Sequence, residues 1–175
     1  MRFIIITFAM VLLTLVSEGK ELYILNDNCI NVLFSQANNT IKSNDIEVLR
    51  DSRGIILRII IDNPEKEYNV LSQEICKSIT TIKDFLAKIK NAVIIEVHTK
   101  VAKLPDKGKI KNWELSTVIA NRVEQEILKD SNNMDVSRIK SVGYGEFLPA
   151  KNTPYNGGNI SNRIDIIILC NITGE

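Results

Sequence analysis

Histidine and tryptophan occur once each, and aromatic residues make up only 6% of the chain. A lone His98 leaves no second imidazole for a metal site, and no Ser or Cys joins it in a recognisable nucleophile motif. Neither sign of charge dominates: 22 Lys and Arg stand against 21 Asp and Glu, for a formal charge of +1. A chain so balanced has no electrostatic drive toward nucleic acid. Eight Gly and four Pro exclude a collagen or a long flexible linker. The three Cys are odd in number and contain no CxxC, so they form at most one disulfide and show no metal spacing. The chain reads as a non-enzyme, with no metal, cofactor or catalytic residue expected.

What is present is aliphatic. Hydrophobic residues are 45% of 175, enough for one ordinary domain with a core of Ile, Val and Leu. Met1-Arg2 is a short basic start, and Phe3 to Val16 is then unbroken by charge. That run falls within signal-peptide range and below the ~20 residues needed to span a bilayer. Residues 1–19 are expected to be a signal peptide cut between Gly19 and Lys20. The rival is an uncleaved anchor that associates the N-terminus with a membrane. Either way the bulk of the chain is exported. Cys76 and Cys170 read as small apolar core residues, and a bridge from Cys29 stays open.

Residues 20–43 read as an N-terminal extension with a strand over Glu21–Leu25 and a short helix around Ile30–Phe34. The pattern then sharpens. Ile46–Arg50 and Ile55–Ile61 are strands joined by the turn Asp51-Ser52-Arg53-Gly54, which makes a hairpin. Leu71, Ile75, Ile79, Ile82, Phe85, Leu86 and Ile89 recur at three- and four-residue steps, predicting a helix from near Asn69 to Lys90. Ala92–Val97 is a strand, and residues 100–111, with Pro105 and Gly108, are a loop. Asn112 is expected to cap a second helix that buries Leu115, Ile119, Val123 and Ile127. Arg138–Tyr144 and Arg163–Ile172 are the last strands. The fold class is α/β, an α+β sandwich with a β-α-β-α-β core: a mixed sheet with two helices on one face and an N-terminal hairpin.

Three segments carry a resemblance: Ile95-Glu96-Val97-His98-Thr99-Lys100, then Asn112-Trp113-Glu114-Leu115-Ser116, then Gly143-Tyr144-Gly145-Glu146-Phe147-Leu148-Pro149 with Asn152 and Ser161-Asn162-Arg163-Ile164-Asp165-Ile166. In this order they resemble the OmpA-like domain family, which includes the flagellar stator protein MotB and peptidoglycan-associated lipoproteins. N-W-E-L-S and Arg53-Gly54-Ile55 look like the MotB branch. The resemblance covers roughly residues 44–172, and the domain is expected over 44–175. It implies non-covalent binding of peptidoglycan in the periplasm or cell envelope, with outer-membrane association as a further expectation.

In the family, an Asp ending H-T-D meets the ammonium of a stem-peptide diaminopimelate, and an Arg in L-S-x-x-R-A meets its carboxylate. Arg suits a carboxylate because its fork donates two parallel hydrogen bonds. Here Lys100 stands for that Asp and Ile119 for that Arg. Two unit charges about 4 Å apart are worth about 4 kcal/mol at an effective dielectric of about 20. Reversing one sign and deleting the fork therefore removes the usual recognition. The ligand-contact candidates are Thr99, Lys100, Asn112 and Arg163, with Arg122 as a substitute for the lost Arg. Lys100, Lys103, Lys107, Lys109 and Lys111 against Asp106 form either a solvated loop or a patch for an anionic partner. The alternative function is a protein–protein module in an envelope complex.

Overall fold

Ile55, Leu57 and Ile59 alternate with Ile56 and Arg58, and Ile164, Ile166 and Ile168 with Asp165 and Ile167, a period of two that marks each strand as two-faced. The computed structural model describes residues 27–101, 111–131, 134–147 and 162–170. A helix over 27–40 (α1) comes first. The order continues with β1 (Glu47–Asp51), β2 (Gly54–Ile60), α2 (Gln73–Leu86), β3 (Val93–His98), α3 (Asn112–Leu128), β4 (Ile139–Gly145) and β5 (Arg163–Leu169). The mixed five-stranded sheet runs β1-β2-β5-β3-β4. Only β3 and β4 are parallel, joined by the α3 crossover; β5 lies antiparallel between β2 and β3. The predicted α+β sandwich and hairpin are both found.

One face of the sheet carries Leu57, Ile95, Val97, Ile164 and Ile166 against Ile79, Ile82 and Phe85 of α2 and Leu115, Ile119 and Val123 of α3. Ile30, Leu33, Ala37 and Ile41, on and just after α1, join the same core. The short helix expected near Ile30–Phe34 is thus a longer one with a full apolar stripe. Its four-residue spacing was present, but interleaved Asn and Ser masked it. The helix predicted from near Asn69 also starts later than expected, at Gln73. Glu67 lies in a 3-10 turn, Lys66–Tyr68, and its carboxylate accepts the Ser72 N–H at 2.6 Å, so the chain turns before α2 begins.

Cysteine usage needs correction. Cys170 is not a free core thiol: it is bonded to Cys29 of α1, a bridge across 141 positions that ties the first helix to the end of β5. Cys76 is the free cysteine among the described residues, and it is half-buried, not core. The expected signal peptide over 1–19 and the Glu21–Leu25 strand lie outside the described residues. Among those described, no helix is long and apolar enough to cross a membrane.

The opposite face of the sheet carries a charged row beside the buried Ile56 and Ile167. Arg58, Asp165 and Glu96 stand in register on β2, β5 and β3, each nearly buried. Arg58 Nε and Nη2 meet the two Asp165 oxygens at 2.6 and 3.0 Å, and Arg163 Nε meets Oδ2 at 2.8 Å. Arg53 reaches from the hairpin turn to Glu96 at 2.8 Å.

Candidate functional site

His98 ends β3 opposite Arg163 of β5 and beside Gly145 of β4. The chain leaving β3 is then held at each step. The Thr99 N–H donates to the Gly145 carbonyl at 2.9 Å, and its hydroxyl donates to the Asn112 carbonyl at 2.8 Å. The Lys100 N–H donates to Asn162 Oδ1 at 2.6 Å. The Val101 N–H donates to Asn112 Oδ1 at 3.0 Å. Thr99, Lys100, Asn112 and Arg163 therefore meet at one end of the sheet, where β3 and β4 finish and α3 and β5 begin.

Meeting is not the same as facing a ligand. Thr99 is fully buried, and the Asn112 amide is committed to Val101. Asn112 is consequently not the helix cap expected of it. That position is Lys111, whose N–H donates to Glu114 Oε2 at 2.8 Å. The Arg163 side chain is 5% exposed and bound to Asp165, whereas Lys100 is exposed. Ile119 is 0% exposed and belongs to the core, as its place in the apolar stripe implied. Arg122 stands apart. Its Nε donates to the Tyr68 carbonyl at 2.9 Å, and ten residues of helix put it about 15 Å along the axis from Asn112. There it lines a separate groove of ≈ 620 Å³ with Val70, Leu71 and Cys76.

Two glycines allow this junction. A Cβ on Gly143 would lie 2.2 Å from Thr117 N, so only glycine lets β4 press against α3. Gly145 has φ +57° and donates its N–H to Ser116 Oγ at 2.8 Å. Ser116, Gly145 and Asn162 are thus structural partners of the site that the reading of residue types passed over, although each lies inside a quoted motif.

His98 is 2% exposed. Its ring stacks on Tyr144 at 5.1 Å, and Nδ1, facing the Phe147 carbonyl at 3.1 Å, carries the proton and donates it. Nε2 is buried and has no hydrogen-bond partner among the described residues. Burial first, and the nearby Arg163 charge second, push its pKa below the ordinary value, so the ring is neutral near pH 7. Among the described residues no group of His, Cys, Asp and Glu is arranged to hold a metal ion.

No family model matches the chain, and neither does any curated protein. Solved structures do. A MotB-like protein from Desulfovibrio vulgaris aligns with a TM-score of 0.65 at 18% identity, over 86% of this chain and 97% of that one. The fold is OmpA/MotB-like. The cell wall anchor of the T6SS from Pseudomonas aeruginosa aligns with a TM-score of 0.58 at 17% identity, over 78% of this chain and 96% of that one. An outer membrane protein from Borrelia burgdorferi B31 aligns at 0.52 with 27% identity, over 71% and 96% of the two chains. In this OmpA/MotB-like domain the two positions that the resemblance makes ionic carry Lys100 on the surface and Ile119 in the core.

Proposed function

We propose that the chain is an exported cell-envelope protein whose OmpA/MotB-like domain holds peptidoglycan non-covalently, by contacts that differ from the family's Asp–Arg pair. The convergence of Thr99, Lys100, Asn112 and Arg163 at one end of the sheet carries this reading. Thr99 and Asn112 shape the site through backbone contacts, Arg163 braces it through Asp165, and Lys100 is the charge that a ligand meets. A cell wall anchor and an outer membrane protein among the similar structures support an envelope location. The Cys29–Cys170 bond supports export, since disulfides persist in oxidising compartments. Residues 1–19 serve as the export signal, and the periplasm is the site of action. The test is co-sedimentation of the exported chain with purified sacculi at low salt. Retention in the supernatant throughout the near-neutral range overturns the proposal.

A second reading is a protein–protein module that keeps the fold without the wall ligand. Ile119 favours it, because a core isoleucine leaves no guanidinium for a carboxylate. Lys100→Glu separates the two. Wall binding through Lys100 should weaken by about fivefold, as expected for reversing one exposed charge. A parent that never co-sediments supports the module.

A further inference from the structure

Two large side chains have no role in the core. Trp113, the only tryptophan in the chain, is 51% exposed, and Phe147 is 67% exposed. Exposed rings of this size in a chain poor in aromatics mark contact surface rather than packing. Gly145 lets β4 approach the start of α3 at Trp113. A Cβ there would lie 2.8 Å from Trp113 N. Phe147, two residues on, donates its N–H to the Tyr144 carbonyl at 3.1 Å and offers its own carbonyl to His98 Nδ1. The Thr99 N–H donates to the Gly145 carbonyl, one residue before the exposed Lys100, and the exposed Lys111 lies two residues before Trp113. Glu146 is the opposing exposed charge, and Glu114 is engaged by the Lys111 N–H.

We propose that Trp113 and Phe147 form a platform for the amino-sugar strand of peptidoglycan, so that this domain grips the glycan instead of the stem peptide. The inference rests on the wall-binding reading above and narrows its ligand. Sugar rings present flat arrays of C–H groups, which shed water against an aromatic face while their hydroxyls stay solvated. Trp and Phe lose little side-chain entropy on contact, having few rotatable bonds. Lys100 and Lys111 complement the lactyl carboxylates of muramic acid residues that have lost their stem peptide, the form that amidase-treated strands present; where a peptide is attached, that carboxyl is an amide. This arrangement needs neither the missing Asp nor the missing Arg.

The single tryptophan makes the experiment direct. The exported chain is titrated with peptide-free glycan strands from amidase-treated sacculi, and separately with sugar-free stem peptide, while Trp113 emission is followed. Glycan strands should shift or quench the emission saturably, and stem peptide should not. Phe147→Ala, which keeps the reporter, should weaken glycan binding about tenfold. By calorimetry Trp113→Ala should lose binding and Trp113→Phe should keep most of it, with unchanged thermal midpoints showing that both still fold. A response to stem peptide alone, or unchanged affinity in Phe147→Ala and Trp113→Ala, overturns the inference. So does an emission shift that follows protein concentration without ligand, which would assign the rings to contact between copies of the chain. Intact sacculi that capture a chain indifferent to glycan strands would leave wall binding standing and this inference refuted; capture by neither would end both.

Discussion

Arg58 and Asp165 face each other across β2 and β5 and close a two-pronged ion pair, at 2.6 and 3.0 Å, with both side chains almost wholly buried. Arg163 adds a second guanidinium to the same carboxylate. Asp165→Ala would take from the buried Arg58 the carboxylate that it pairs with. The expected loss is about 3–5 kcal/mol. For a chain of this size that lowers the thermal midpoint by about 10 °C or more. A change within about 2 °C would show that the cluster contributes little to stability.

The same carboxylate sets an acid limit. Burial works to raise the Asp165 pKa, but the hydrogen bonds and charges of Arg58 and Arg163 outweigh it and hold the group below the ordinary carboxylate range. A depressed folded pKa stabilises above the unfolded value, about 3.9, and that contribution is lost as pH falls through the folded value. Denaturant midpoints measured across that window should drop for the parent and much less for Asp165→Ala.

His98 acts in a separate, milder window. Burial and Arg163 disfavour its charged form, and the charged groups facing it are Arg163 and Asp165 on β5 and Glu96 on β3. The unfolded chain takes up the proton first. Stability therefore falls as pH drops below about 6.5, the unfolded value, and continues to fall until the folded ring titrates. His98→Gln should flatten the curve just below about pH 6.5 while leaving the steeper acid loss in place. An unchanged slope in that variant would assign the pH dependence to other groups.

The Cys29–Cys170 bond spans 141 positions, so its opening releases a large loop. The chain-entropy argument assigns it about 4–5 kcal/mol, an upper value for real disulfides. Reduction, or Cys29→Ser with Cys170→Ser, should lower the thermal midpoint by about 10 °C. Protection from amide exchange should be lost first in α1. A reduced protein as stable as the oxidised one would mean that packing of Ile30, Leu33 and Ala37 alone holds that helix.

Gly143→Ala should be worse than Gly145→Ala. The first forces a methyl group to within 2.2 Å of the α3 backbone at Thr117, so helix and strand must separate. The second meets Trp113 N at 2.8 Å and a left-handed φ. Overpacking and strain of these kinds cost about 3 kcal/mol or more and about 1–2 kcal/mol respectively. Comparable denaturant midpoints for the two variants would refute that ranking.

The hairpin, both long helices and the order of the last strands were legible because their signals are strong: a dense β-branched run at Ile55–Ile61 after a Gly turn, and Leu115–Ile119–Val123 at four-residue spacing. Ile119 was correctly placed in the core by that same stripe. Helix α1 was underestimated because polar Asn and Ser interrupt a stripe that becomes visible only once a core exists to receive it. The Cys29–Cys170 pairing was not readable from spacing, since two thiols 141 positions apart are brought together only by folding. At the site, Asn112 and Thr99 were recognised, but as ligand contacts. The Val101 N–H donating to Asn112 Oδ1, and the Thr99 hydroxyl donating to the Asn112 carbonyl, are long-range geometry that residue type does not encode.

Local pattern and composition were enough to establish an aliphatic α+β domain, its strand and helix order, and the motif positions where Lys100 and Ile119 depart from the family. Those properties follow from nearest-neighbour periodicity and residue chemistry, which a linear chain carries in full. Tertiary structure alone decided that β5 inserts between β2 and β3, that Arg58, Asp165 and Arg163 share one buried cluster, and that Trp113 and Phe147 stand exposed. Each depends on which distant segments become neighbours, and that is set by the free energy of burying the whole core at once.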